Sequence, residues 1–178
     1  MLHMSNKAIN NLDYTGIVTL SQYKNQKKIP IATFHNAGSN TLFNFLSECL
    51  VGNYEAAEFL RPTKIMLLKI DTEENKITPA SGFINLMTNP EKVVKTSNVA
   101  GSTVCYSFMV SRDILESADF NSLGLYADGT TFNEVDNFAA FCDIELNSSE
   151  LSLSSLLVID WELNISNNAS NYFSDTIN

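Results

Sequence analysis

Few side chains in this 178-residue chain are spaced as if for chemistry. His35 stands four residues before Ser39 in "HNAGS", so a base and a nucleophile can be drawn together. Nucleophilic catalysis also needs a group to orient the imidazole, and none is indicated. Ser39 moreover stands where a helix N-cap belongs. His3, the other histidine, lies in a patternless N-terminal stretch. Cys49, Cys105 and Cys142 are odd in number, far apart and without a C-x-x-C pair, so they are expected to be reduced thiols of a chain made in a cytosol. Asp128, Glu134 and Asp136 crowd one segment with Asn133 and Asn137. Oxygen-rich loops can hold Ca²⁺, but this spacing fits no EF-hand, and a solvated loop is the simpler expectation. The triplets at Asn147, Asn164 and Asn168 match the glycosylation pattern, as an Asn- and Ser-rich chain does by chance. There is no Gly-rich phosphate loop, H-E-x-x-H or G-x-S-x-G. The residues therefore point to a chain that is not an enzyme and uses no cofactor and no metal.

Composition narrows the class. Charged residues make up only 17%, below the usual level of about 25%. Asn, Ser and Thr fill the gap with 21, 19 and 13 residues, types suited to turns and exposed strand faces. No run of 18 apolar residues exists, and "MLHMSNKAINN" lacks the apolar h-region of a secretory signal. No membrane segment is expected. The net charge of −9 divides at Arg112: residues 1–112 carry all 11 Lys and Arg against 8 acidic residues, and residues 113–178 carry 12 acidic residues and no Lys or Arg. A surface that negative is not expected to touch nucleic acid, and suits a basic partner.

The elements follow from periodicity. "GIVTLSQYK" and "IPIATFHN" flank "NQKK" and read as a hairpin with a four-residue turn. In "SNTLFNFLSECLVG" the period changes, and Leu42, Leu46 and Leu50 predict one apolar face of a helix over residues 40–51, capped by Ser39 or Asn40 and stopped at Gly52. "YEAAEFL" can add a turn before Pro62. Short strands follow: "KIMLLKI", "SGFINLM", "STVCYSFMVS", "FNSLGLYAD", "FAAFCDIEL" and "LLVIDWELNIS". In the last, Ile159, Trp161 and Leu163 alternate with Asp160 and Glu162, which puts the tryptophan in the core and the carboxylates on the outer face. Strands this close together leave no room for parallel crossovers. The predicted fold is mainly β: an antiparallel β-sandwich, jelly-roll or Ig-like, with one short α-helix at an edge or end. The predicted divisions are an arm over 1–13, a sandwich domain over 14–168 and a tail over 169–178.

The series "STVCYSFMVSRDIL", "FNSLGLYADG", "NFAAFCDIEL" and "SSLLVIDWELNIS" resembles small virion proteins of tailed bacteriophages, of the tail, neck and head-decoration kinds found in podovirus-like and crAss-like phages. Leu123–Tyr126, Phe138–Phe141 and Leu157–Ile165 carry the likeness, with the early "GIVTLSQYKN", "LFNFLSECLVG" and "RPTKI". The resemblance implies a structural subunit in a symmetric virion assembly, whose partners are copies of itself and other virion proteins. A tail or neck ring or connector component is expected first, and head decoration second. The unlike charge of the two parts suits head-to-tail contacts in a ring. The arm, through Leu2, Ile9 and Leu12, and the outward Asp160 and Glu162 are the expected assembly contacts. A carbohydrate- or receptor-binding sandwich of a fibre is the other reading; its exposed aromatics would be Phe132, Tyr172 and Phe173.

Overall fold

A computed structural model describes residues 12–93, 101–144 and 156–167. In chain order these form β1 (Leu12–Lys24), β2 (Lys27–Gly38), α1 (Asn40–Val51), α2 (Tyr54–Leu60), β3 (Pro62–Asp71), β4 (Lys76–Pro79), β5 (Ile84–Asn85), β6 (Glu91–Val93), β7 (Gly101–Ser111), α3 (Arg112–Ser117), β8 (Ser122–Ala127), β9 (Ala140–Asp143) and β10 (Leu156–Asn167). All strand pairings are antiparallel.

The alternating strands build the first layer, in the order β2-β1-β10-β7-β6. Trp161 of β10 lies opposite Val18 on one side and Tyr106 on the other. The second layer runs β9-β8-β3, with β4 and β5 following one another along the far edge of β3. β2 joins the layers: residues up to Asn36 pair with β1, then Ala37 and Gly38 pair with Phe141 and Ala140 of β9. On the other side Ile84 and Asn85 pair with β3, and Leu86 then bridges to Phe108 of β7. The two layers are thus stitched together at both sides, by Ala37 and Gly38 on one and by Leu86 on the other.

Between the layers, Val18, Leu20, Phe108, Val110, Leu157, Ile159, Trp161 and Leu163 meet Ile65, Leu67, Leu123, Leu125 and Cys142. A second, smaller cluster lies on the outer face of the β3–β8 layer, where Met66, Leu68 and Tyr126 are covered by Ile77, Phe83, Val135, Phe138 and Phe141. Burial of both faces explains why "IMLL" in β3 is a continuous apolar run rather than an alternating one.

Three predictions about the elements change. Asn25 and Gln26 alone make the first turn, with φ of 53° and 62°, so Lys27 and Lys28 belong to β2. A two-residue turn of this hand matches the twist of the flanking strands better than a four-residue one. Leu12 lies opposite Asn167 in the β1–β10 ladder, so the predicted arm over 1–13 must end before it, and Leu12 is a strand residue rather than an arm contact. Leu2, Ile9 and the 169–178 tail lie outside the described residues. Helix α1 has the predicted caps: the Ser39 hydroxyl accepts from the Thr41 N–H at 3.2 Å, and Gly52 is left-handed at φ 76°. Its predicted apolar face is only partly used. Leu42 is buried and Leu46 half-buried, but Leu50 is 87% exposed. Eight residues carry Leu50 about 80° around the axis from Leu42 and roughly 12 Å along it, past the part of the helix that rests on the sandwich. Two further short helices, α2 and α3, accompany α1.

Candidate functional site

Of the groups suggestive of chemistry, Ser39 and Cys142 are held in structural bonds. Ser39 caps α1, donates its hydroxyl to the Phe138 carbonyl, and its N–H bonds the Ala139 carbonyl at 2.9 Å. His35 is exposed on β2, and its backbone carbonyl accepts from the Cys142 thiol at 3.6 Å. Burial pushes that thiol up to about 12, with Asp143 adding to the shift.

Two carboxylates of the 128–137 loop, those of Asp128 and Glu134, are hydrogen-bonded within the chain. Asp128 accepts from the Thr63 hydroxyl at 3.0 Å. Glu134 accepts from the Thr131 N–H at 2.9 Å and its hydroxyl at 2.7 Å, and these bonds hold its carboxyl below the usual range. Among the described residues no group of three or more such ligands converges as a metal site. The cation facing this loop is an ammonium. Lys64 donates to the carbonyls of Asp128 and Thr130, both at 2.7 Å, and sits 4.4 Å from the centre of the Phe83 ring. Residue spacing gave no sign of this, because Lys64 and the loop are 64 residues apart in sequence. Phe132 is exposed in the same loop, edge-on to Phe83 at 6.2 Å; Tyr172 and Phe173 lie outside the described residues.

Trp161 is fully buried and offers no stacking face. Its indole N–H lacks a hydrogen-bond partner. Asp160 and Glu162 do face outward on β10, within a shallow groove lined also by Thr19, Ser21, Lys28, Pro30, Glu91, Cys105 and Ser107. The basic partner expected for Asp160 is found within the chain. Lys28 of β2 pairs with it, Ser107 of β7 donates to it at 2.7 Å, and its side chain is only 15% exposed. The groove thus ties β2, β10 and β7 together across β1.

The strongest surface feature is apolar. Leu50 and Val51 end α1, Gly52 and Asn53 turn the chain, and Tyr54 and Phe59 follow on α2. Tyr54 is 75% and Phe59 61% exposed, and Val51 is as open as these. Beside them runs a groove of about 530 Å³ lined by Asn53, Glu55, Ala56, Phe59 and Leu60. The loop after β8 positions Phe59. Gly129 donates its N–H to the Phe59 carbonyl at 2.9 Å, and a Cβ on Gly129 would stand 2.1 Å from the Phe59 ring. Of these residues, Leu50 was expected in the core, since apolar residues at helical spacing usually pack there. Only the position of the helix pair at the end of the sandwich shows that it does not. No protein-family model, curated protein or solved structure matches this chain.

Proposed function

We propose that this chain is a non-enzymatic structural subunit of a bacteriophage virion, working as one of several copies in a tail or neck ring or connector. Head decoration is the second position for the same subunit. The observation that carries the reading is the uncovered apolar surface of Leu50, Val51, Tyr54 and Phe59. Contiguous exposed patches of this kind mark interaction surfaces. A buried side chain of this size is worth about 1.5–3 kcal/mol over an exposed one, so a partner that covers the patch is held firmly. Ser39 and Glu134 support a structural role in turn, since one caps α1 and the other closes a turn, and Asp128 is bonded to Thr63 of β3. The strand series from β7 to β10 supplies the virion context through its resemblance to phage structural proteins. Mass spectrometry of purified particles from infected cells tests it. The chain is expected in the particles at a fixed ratio to the capsid protein; recovery only from the particle-free fraction would overturn the reading.

A further inference from the structure

Two exposed surfaces at opposite ends of β2 have complementary chemistry. At one end is the β1–β2 hairpin tip. Tyr23 and Ile29 are each nearly half exposed there. Tyr23 is paired with Lys28, and Ile29 with Gln22, so the two apolar side chains lie on opposite faces of the tip. Exposed Lys27 completes this apolar wedge. At the other end, beyond Gly38, is the α1–α2 patch. Glu55 lines its groove, exposed Glu58 stands 4.0 Å from the Arg61 guanidinium, and Glu48 is close by through its bond to Asn53.

The 12 residues of β2 separate the tip from α1 by about 40 Å. A hairpin anchored in the sheet cannot fold back over that distance, so one copy cannot join its own two surfaces. We propose that they meet between copies: the hairpin tip of one copy packs on the α1–α2 patch of the next, with Tyr23 and Ile29 against Leu50, Tyr54 and Phe59, and Lys27 facing Glu55. The proposal rests on the structural-subunit reading and names the contact it uses. Such a contact joins unlike surfaces, so it propagates head to tail and closes into a ring when the rotation between copies allows. The apolar residues supply the holding energy, and the charges set orientation and encounter rate.

The test uses the full chain with one surface blocked at a time, by Tyr23→Glu on the hairpin or Tyr54→Asp on the helix pair, with thermal melting as the check on folding. In sedimentation velocity, the wild-type chain is expected to form multimers and each variant alone to remain monomeric. A 1:1 mixture should give a dimer and nothing larger, because only one intact tip and one intact patch remain between the two. A second route, independent of aromatic loss, reverses charge. Lys27→Glu or Glu55→Lys alone should require a several-fold higher concentration to assemble, and both in one chain should restore wild-type behaviour. Wild-type multimers from either blocked variant alone, a monomeric mixture, or a double reversal worse than each single one would overturn this contact and leave the subunit reading standing. A wild-type chain that remains monomeric would overturn both.

Discussion

Trp161 shows at the residue scale how burial and hydrogen bonding oppose one another. Its ring fills the centre of the sandwich while its N–H goes unpaired. Trp161→Ala should cost about 3–5 kcal/mol through lost transfer energy and a cavity. Trp161→Phe should cost far less, about 0–1 kcal/mol, because removing an orphaned buried donor returns about 1–3 kcal/mol against the smaller cavity. Chemical denaturation of the two variants checks this; equal losses would show that the N–H carries no penalty. The cysteines make a second case. Cys49 is exposed and Cys142 buried, its thiol raised from an ordinary value of 9.0 to about 12. Burial likewise raises Tyr106 from 10.0 to about 12. A folded pKa above the unfolded one means that stability is fully present below the unfolded value and is lost as pH rises through the folded value. Melting temperature should therefore fall from about pH 9 to pH 12. Cys49 should react with a thiol reagent without denaturant, and Cys142 only on unfolding. A flat alkaline profile, or equal labelling of both thiols, would contradict this.

At the scale of elements, the hairpin turn carries a local cost. Asn tolerates the left-handed region, but Gln26 at φ 62° is poorly suited to it. Gln26→Gly should stabilise the protein by about 0.5–1 kcal/mol, measured as a shift in denaturation midpoint at unchanged slope. A destabilised variant would mean that Gln26 makes a compensating contact. What could be read from the sequence follows the same physics. β10 was legible because Leu157, Ile159, Trp161 and Leu163 alternate strictly, and α1 because its caps and period agree. α3 was missed because six residues form too few turns to show a period. β4, β5 and β6 were blurred for a similar reason, as strands of two to four residues placed by their neighbours. Leu50 was misplaced because helical spacing says which residues share a face and not how much of that face a sheet can cover. The candidate surface was hidden by that same error, and the Lys64 contacts needed the fold to bring distant segments together.

For the whole molecule, the layers differ in what covers them. The outer face of the β3–β8 layer is sealed by its own loops, whereas the outer face around β10 is a polar groove. Among the described residues, the most exposed large apolar side chains, Leu50, Val51, Tyr54 and Phe59, belong to the helix pair at the end of β2. Deletion of residues 1–11 should leave a cooperative melt, because that polar stretch shows no strand or helix period in the sequence. Deletion through Lys24 removes β1 from between β2 and β10 and should abolish folding. Comparable melts from both truncations would show that β1 is dispensable to the sandwich. The claim that ties these observations together is that the chain is built to assemble with copies of itself. Native mass spectrometry of the full chain across a concentration series measures it most directly. A discrete multimer of one stoichiometry, growing at the expense of monomer as concentration rises, is the expected result. A monomer at every concentration would contradict it.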